Sequence, residues 1–337
     1  MVERWPAEWE PHARTVLAWP GRPEVWGSTL EEGRAETLSL AANLALREPV
    51  TIAASPQHYV LLRERAGNNI DVVSIPLDDC WARDISPLFM VTDDGVIANN
   101  FGFNSWGGKF EPVDNDRNFG VAIARQLDIP VRTIDLVLEG GSLSTDGQGS
   151  AIIVEPTVLN ENRNPGVTKR QVEEILARTL GLNSIIWLPF GLLGDVDTDG
   201  HVDNVAVFCS PGRVLVQASP SATHPDAERL KQNLRILSKS RDSLGKSLEL
   251  VEVPWLPTSP FDGSRPSSYV NSYPGNGAVY VPVVGETTDD AALELVSQAF
   301  GKRPPVAAKS SALSIGGGGP HCMTMQIPVS GKEKETQ

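Results

Sequence analysis

A mixed α/β fold in one domain is predicted by two features of this sequence. Short apolar runs rich in β-branched residues recur along the chain, and turn residues such as Gly, Pro, Asn and Asp bound them. Stretches with helical spacing of apolar residues lie between these runs. Because no linker rich in Pro, Gly or Ser divides the chain, we expect a single domain over residues 1–330. The polar segment 331–337 is expected to be a disordered tail.

The predicted strands are the apolar runs, each ending where turn residues begin. In chain order they are 50–54, 71–75, 88–92, 95–99, 150–154, 184–188, 205–209, 214–217, 248–253, 278–284 and 323–327. A doubly wound nucleotide-binding fold needs a glycine-rich loop after its first strand. The sequence Ser55-Pro56-Gln57-His58 follows 50–54 instead, which argues against that fold.

The predicted helices are 30–46, 57–65, 119–127, 169–180, 225–240 and 288–300. Thr168 precedes one of them and is followed three residues later by Gln171, the pattern of a capping box. Asp289 and Asp290 place negative charge in the first turn of the last predicted helix, where it interacts favourably with the helix dipole.

Composition restricts the class of function. The chain has 337 residues, of which 40% are hydrophobic and 21% charged, with no signal-peptide pattern and no apolar run long enough to span a bilayer, so we expect a cytoplasmic protein. Three cysteines without a CxxC pair predict neither a disulfide framework nor a cysteine zinc site. A net charge of −13 argues against nucleic acid or membrane as partners and favours a small cationic substrate, although it also serves solubility.

Cys322 is the candidate nucleophile because it follows a run of four glycines, Pro320 and His321. A reactive thiol is expected to be partly exposed, and a glycine-rich turn gives a substrate room to approach the backbone. The alternative is a flexible loop that carries an ordinary cysteine.

Further polar clusters lie where strands begin or end. The segment 78–84 combines carboxylates with an indole and a guanidinium, and Glu139 stands before two glycines in what could also be an ordinary turn. His201 and Asp203 precede the predicted strand 205–209, so an extended chain would place both on one face.

The alternation of Asp195, Asp197, Asp199 and His201 resembles an oxygen-ligand loop, but it lacks the glycine and glutamate positions of a calcium site. We therefore expect no metal and no cofactor. A cysteine, a histidine and several carboxylates instead suit nucleophilic catalysis on a planar cation, since paired carboxylates match the N–H donors of a guanidinium.

Seven segments together resemble the agmatine deiminases and their bacterial peptidylarginine deiminase relatives, within the guanidino-modifying enzymes. They are WPAEWEPH (5–12), DCWARD (79–84), WGGK (106–109), LEGGS (138–142), LNENRNP (159–165), GHVDN (200–204) and GGGPHCMTMQ (317–326). The resemblance implies the pentein fold, a five-bladed α/β propeller of ββαβ units around a pseudo-fivefold axis with the active site in its central channel. It also suggests a homodimer.

Carried over by position, the resemblance implies catalytic roles for Cys322 as nucleophile and His201 as general acid and then base. Glu139 would orient His201, while Asp84 and Asp203 would hold the guanidinium. Two further residues are implied in substrate binding, Trp81 along the substrate chain or over its cation and Asp197 at the distal amine.

The chain departs from the usual family pattern at Ile85, Ser86, Pro320 and Met325, which leaves the choice of guanidine open. Agmatine is the first expectation, because the sequence shows neither a signal peptide nor the extra C-terminal domain of the peptidylarginine enzymes.

One alternative is a deiminase or amidinotransferase that acts on arginine, an arginine peptide or a modified agmatine. Arginine would need a cation for its carboxylate, for which Arg83, Lys109 and Arg163 are candidates unless they form structural ion pairs. The other alternative is a non-catalytic pentein that serves as a binding module. Cys80 and Cys209 are expected to take no part.

Overall fold

The computed structural model describes residues 3–256 and 268–330, which form five small β-sheets with helices between their strands. The strands are β1 (His12–Ala18), β2 (Val50–Ala54), β3 (Ile70–Ser74), β4 (Leu88–Thr92), β5 (Gly95–Gly102), β6 (Val131–Val137), β7 (Leu143–Thr145), β8 (Ser150–Val154), β9 (Ser184–Leu188), β10 (Ala206–Ser210), β11 (Arg213–Gln217), β12 (Glu249–Val253), β13 (Tyr273–Gly275), β14 (Ala278–Val283), β15 (Pro305–Lys309) and β16 (Thr324–Pro328).

The helices are α1 (Pro23–Trp26), α2 (Leu30–Ala45), α3 (Pro56–Arg65), α4 (Ala82–Ile85), α5 (Ser105–Gly108), α6 (Asp114–Gln126), α7 (Glu155–Val158), α8 (Lys169–Leu180), α9 (Ala227–Lys239), α10 (Asp289–Ala299) and α11 (Ser311–Gly316). Among the described residues no helix has the length and apolarity needed to cross a membrane. The longer helices have clear end signals. Helix α8, for example, starts with the predicted capping box of Thr168 and Gln171 and ends at Gly181 in the left-handed conformation.

The five sheets repeat one connection pattern, an antiparallel strand pair followed by a helix and a parallel third strand. It is seen in β4-β5-α6-β6, β7-β8-α8-β9, β10-β11-α9-β12 and β13-β14-α10-β15. The fifth copy joins the two ends of the chain, because β16 pairs antiparallel with β1, and β1 pairs parallel with β2 beyond α2. Strand β3 extends this sheet as a fourth strand. No internal repeat strong enough to predict this pattern can be read from the residues alone.

Burial explains why the apolar runs form these strands. All five residues of β2, and all five of β8, are buried, as expected for inner strands covered on both faces. Among the described residues, three apolar clusters fill the space between sheets and helices, and the largest of them contains Trp26, Trp81 and Cys322. The candidate nucleophile therefore lies at the edge of the main core.

The predicted mixed α/β class is confirmed, and the predicted strands and helices match observed ones with small shifts at their ends. Helix 119–127 begins earlier, at Asp114, and strand 205–209 begins one residue later, at Ala206. Five strands were not predicted: β1, β6, β7, β13 and β15. They are very short, or they mix polar residues and alanine with apolar ones, so sheet pairing rather than local sequence determines them. The predicted tail 331–337 lies outside the described residues.

Candidate active site

The candidate site is built from one loop of every repeated unit. In each unit the chain delivers a polar side chain just before the first strand of the antiparallel pair. These residues are Asp84 before β4, Glu139 before β7, His201 and Asp203 before β10, Asn271 before β13 and Cys322 before β16. Since the loops occupy equivalent places, residues far apart in sequence converge on one cavity.

Cys322 lies at the base of this cavity with its side chain almost fully enclosed. The residue is 6% exposed, so the expectation of a partly exposed thiol is wrong. Its Sγ donates to Asp203 Oδ2 at 3.4 Å and accepts from Asn271 Nδ2 at 3.0 Å. Burial, and then the negative charges of Asp203 and Asp84, raise the pKa of the thiol well above its usual value. The resting group is therefore a thiol.

The glycines before Cys322 accommodate protein side chains. A Cβ on Gly318 would lie 2.4 Å from Cζ3 of Trp81 and 2.9 Å from Cβ of Cys322. Trp81 in turn stacks on Trp26, with ring centroids 5.8 Å apart. The turn thus packs the nucleophile against an indole pair, whereas the sequence suggested that the glycines make room for a substrate.

His201 lies among carboxylates. Its Nδ1 is 3.8 Å from Asp84 Oδ1 and its Nε2 is 4.0 Å from Glu139 Oε2. Burial opposes the imidazolium, but the charges of Asp84, Asp203, Glu139 and Asp195 raise the pKa of His201 above its ordinary value. The histidine is thereby favoured in its protonated form, ready to act as an acid.

Asp84 is held by two donors on opposite sides. The backbone N–H of Gly141 donates to Oδ1, and the indole Nε1 of Trp106 donates to Oδ2, both at 3.0 Å. Burial raises the pKa of Asp84 to about 6, with His201 and Trp106 acting against the shift and Asp203 and Glu139 adding to it. Asp84 is therefore ionised at neutral pH but close to its titration range.

Asp203 is fully buried and stays ionised. Burial opposes its charge, yet hydrogen bonding and attraction from His321 lower the pKa of Asp203. His321 Nδ1 lies 2.9 Å from Oδ2, while Oδ1 has no hydrogen-bond partner in the described part of the chain. The predicted strand geometry for this pair is wrong, because Val202–Asn204 form a 3₁₀ turn. The turn nevertheless brings both His201 and Asp203 to the cavity.

Glu139 is fixed by an ion-pair chain. Arg163 Nε donates to Glu139 Oε1 at 2.6 Å, and Arg163 Nη1 donates to Asp199 Oδ2, also at 2.6 Å. Lys109 completes the chain with Asp199 at 2.7 Å. The other oxygen, Glu139 Oε2, makes no hydrogen bond within the described ranges and faces His201. Two acids of the segment that superficially resembles an oxygen-ligand loop have protein partners here, since Asp199 binds cationic side chains and Asp195 accepts from the backbone N–H of His201.

A second array of charges lies behind the nucleophile. His321 Nε2 is 2.8 Å from Glu8 Oε2, and Arg83 donates to Glu8 Oε1 at 3.1 Å. With the bond from His321 to Asp203, the order of groups is Arg83, Glu8, His321, Asp203. A histidine that contacts a carboxylate at each ring nitrogen must donate from both, so His321 is an imidazolium. The charges alternate along the array.

The cavity is acidic and aromatic. It is lined by Val25, Asp79, Trp81, Asp84, Trp106, Phe110, Asp197, Thr198, His201, Asn204, Gly316, Gly317 and Cys322. Asp197 is half-buried on its wall, while Asp78 is turned away and accepts from Asn115. In the described ranges no lysine or arginine lines the cavity, and the candidate cations Arg83, Lys109 and Arg163 are all paired with carboxylates.

All seven site residues predicted from the sequence lie at or beside this one cavity. Four further residues had no predicted role: Trp106, Asn271 and His321 contact these site residues, and Glu8 contacts His321. Three of these lie inside the motifs quoted above, so the sequence shows that they are present but does not show which residues they contact. Asn271 lies outside all of the motifs, and only the repeated position before a first strand identifies it. Among the described residues no cluster of His, Cys, Asp and Glu has a metal-binding arrangement.

Comparison with known proteins decides the family. A sequence model of the Porphyromonas-type peptidyl-arginine deiminases matches residues 4–328. The chain belongs to this family. It is 36% identical to the agmatine deiminase of Stutzerimonas stutzeri over 96% of this chain and 95% of that one, and 36% identical to the agmatine deiminase of Pseudomonas aeruginosa over 98% and 96%.

Solved structures agree with this assignment. The agmatine deiminase of Enterococcus faecalis superimposes with a TM-score of 0.91 and 28% identity, covering 97% of this chain and 96% of that chain. Family members of this kind act on the guanidino carbon–nitrogen bond, and the chain is an enzyme of that class. The resemblance to the agmatine deiminases and their bacterial peptidylarginine deiminase relatives, stated from the sequence motifs, is confirmed.

Proposed function

We propose that this enzyme hydrolyses agmatine to N-carbamoylputrescine and ammonia through a covalent adduct on Cys322. The observation that carries the proposal is the cavity itself, in which a buried thiol lies among carboxylates and no lysine or arginine of the described residues takes part. The relatives named agmatine deiminase support the same substrate.

Electrostatics favour a cationic ligand. Asp84, Asp203 and Asp197 lie at or beside the cavity together with the imidazoliums of His201 and His321, while Arg163 offsets the charge of Glu139, so negative charge is in excess. Buried charge without a partner is costly, and the raised pKa of Asp84 reflects that cost. A guanidinium placed between Asp84 and Asp203 would pair its N–H groups with both carboxylates, including the unpartnered Asp203 Oδ1.

The first half of the reaction forms the adduct. The bound cation offsets the charges that raise the pKa of Cys322, so the thiol gives its proton to solvent water as the substrate binds, and the thiolate attacks the guanidinium carbon. A C–S bond forms, and the intermediate is tetrahedral and neutral. His201 gives its proton to one terminal nitrogen, the C–N bond breaks, and ammonia leaves. The product of this half is a thiouronium cation on Cys322 and a neutral His201.

The second half returns the enzyme to its starting state. Neutral His201 removes a proton from water, and the hydroxide adds to the thiouronium carbon. The C–S bond then breaks and thiolate leaves. The protonated ureido product gives its proton to ammonia, which becomes ammonium, and the thiolate takes a proton back from solvent water, which restores the thiol. Glu139 assists both halves because its charge favours protonated His201 and its position fixes the ring.

The cavity distinguishes agmatine from arginine by charge. Arginine carries a carboxylate that this acidic wall would repel, whereas agmatine ends in an amine. Asp197, on the cavity wall, would receive that amine, and Trp81 would pack along the methylene chain. The departures at Ile85, Ser86, Pro320 and Met325 leave the lining carboxylates in place.

The proposal includes the arrangement of the whole protein. Residues 1–330 would form a single catalytic domain in which the five ββαβ units are five blades around a pseudo-fivefold axis. Convergence of one loop from each unit on the cavity supports this arrangement. A nucleophilic thiol must stay reduced, which suits the cytoplasm. A homodimer of this enzyme remains part of the proposal, and size measurement in solution tests it.

Alkylation of Cys322 tests the proposed chemistry. A haloacetamidine carries the planar cation that the carboxylates would bind, whereas iodoacetamide is neutral and of similar size. We expect the haloacetamidine to modify Cys322 far faster at equal dose, and excess agmatine to protect it. Equal rates for both reagents, or no protection, would show that the cavity does not bind guanidinium-like cations.

A further inference from the structure

The amide of Asn271 contacts the nucleophile in a way that fixes its orientation. Asn271 is 2% exposed, and its Oδ1 accepts from the backbone N–H of Cys322 at 3.4 Å. A backbone N–H can only donate, so the amide oxygen must face it and the NH₂ group must face the sulfur. The 3.0 Å contact between Nδ2 and Sγ is therefore a hydrogen bond donated to sulfur.

The surrounding chain is shaped to hold this amide. A Cβ on Gly319 would lie 2.7 Å from Asn271 Oδ1, so a glycine at 319 leaves room for it. The backbone N–H of His321 also donates to the Asn271 carbonyl at 3.3 Å. Three contacts thus tie the loop before β13 to the turn that carries Cys322.

We infer that Asn271 is a catalytic residue whose amide N–H stabilises the Cys322 thiolate. The inference deepens the proposed function and rests on it for the identity of the reaction. Among the described side chains that touch Sγ, Asp203 is an acceptor for the thiol and raises its pKa, whereas Asn271 donates and lowers it. The donor would act twice, when thiolate forms for attack and when thiolate leaves the thiouronium carbon.

The position of Asn271 agrees with this role. It stands before β13, where the other units place Asp84, Glu139, His201, Asp203 and Cys322 before their own first strands. The fifth loop therefore supplies a group to the reacting atoms, as the other four do.

The test measures thiolate formation without using the reaction. The rate of iodoacetamide alkylation of Cys322 at pH 8, followed by mass spectrometry of its peptide, depends on the thiolate fraction. We expect Asn271→Ala to lower this rate about tenfold and agmatine kcat/KM about 10- to 100-fold, the usual effect of losing a hydrogen bond to a charged group. Asn271→Asp, of the same shape but without a donor, should lower both further.

Asn99→Ala is the matched control. Asn99 is a buried amide like Asn271, but it lies outside the cavity and donates to the backbone carbonyl of Thr179. The variant Asn99→Ala should lower the free energy of unfolding without changing the alkylation rate of Cys322. An unchanged alkylation rate in both Asn271→Ala and Asn271→Asp would overturn the inference. Because alkylation needs no substrate, this result differs from a failure of the agmatine assignment, which would leave the alkylation shift and remove only turnover.

Discussion

At the residue scale, the site depends on keeping acids ionised where burial opposes their charge. Asp84 shows the balance most clearly, because its pKa is raised to about 6 although Trp106 and Gly141 donate to it. Below pH 6 the folded enzyme protonates Asp84, and one of the two proposed guanidinium partners is lost. Agmatine kcat/KM should therefore fall as pH decreases through this range.

Substitution Trp106→Phe tests the contribution of the indole donor. It keeps an aromatic ring but removes the N–H that lowers the pKa of Asp84, so the acidic fall of kcat/KM should move to higher pH by about one unit. Trp187→Phe is the control, since its indole donates to Glu173 outside the cavity. A uniform loss of activity with an unmoved pH profile would mean that Trp106 only packs.

The array behind Cys322 gives a second pH test. Burial and Arg83 disfavour the charge of His321, but Glu8 and Asp203 raise its pKa above the ordinary value. In Glu8→Gln one of these carboxylates is neutral, so the pKa of His321 should fall. Below that pKa the imidazolium persists and activity should approach that of the parent enzyme, while at higher pH a new loss of kcat/KM should appear.

Glu48→Gln provides the comparison for this variant. Glu48 is a buried carboxylate 3.4 Å from His12, outside the cavity lining, so its neutralisation should cost stability without adding a pH-dependent loss of activity. If Glu8→Gln lost activity equally at every pH, the array would have no role in keeping Asp203 ionised.

At the scale of elements, the equivalent loops explain why the sequence predicted some residues of the site and missed others. The motifs around Glu139, His201 and Cys322 identified polar groups near strand ends, and these groups do share a cavity. Asn271 has no motif and was not predicted, because its role comes from the register of β13 in its unit. The 3₁₀ turn at Val202–Asn204 could not be anticipated either, since short polar segments have weak local preferences.

Gly141 tests how closely these loops approach each other. A Cβ at this position would lie 2.6 Å from His201 Nδ1 and 3.0 Å from both Asp203 Oδ2 and Asp84 Oδ1. Gly141→Ala should therefore displace three site groups and lower kcat/KM about 100-fold or more, at a stability cost of about 1–3 kcal/mol. Gly67→Ala, where a Cβ meets nothing within 4 Å, should leave activity unchanged. Near-normal activity of Gly141→Ala would show that the loops move apart easily.

At the scale of the whole molecule, the fold class and most elements followed from local pattern, whereas the pairing of the chain ends did not. Strand β1 was not predicted, although it pairs with both β16 and β2 and completes the fifth unit. Its sequence, HARTVLA, has polar residues at three of its first four positions, and its identity as a strand comes from partners that are distant in sequence. The one-domain expectation and the five-bladed arrangement stay proposals.

Global stability should depend on pH through Asp116. This residue is 2% exposed and accepts from the backbone of Asp78 and Asp79, linking α6 to the loop before α4. Burial raises its pKa to about 8, so the unfolded chain loses this proton near pH 4 while the folded protein retains it up to about pH 8. Its contribution to stability is full below pH 4 and is lost as pH rises to 8.

Asp116→Asn has no proton to lose, so it should remove this component, on the order of a few kcal/mol between pH 4 and 8. Denaturant unfolding of both proteins at several pH values measures the difference, with exposed Asp94→Asn as the control. A parent enzyme and an Asp116→Asn variant with parallel pH profiles would contradict the assignment.

The central claim is deimination of agmatine at Cys322. Its most direct test is ureido product formation by the purified enzyme with agmatine, arginine and a blocked arginine peptide offered separately, each beside Cys322→Ser. We predict turnover of agmatine alone, and none in Cys322→Ser, which should still bind agmatine because the carboxylates remain. Preference for arginine or the peptide would contradict the substrate, and substantial turnover by Cys322→Ser would contradict the covalent mechanism.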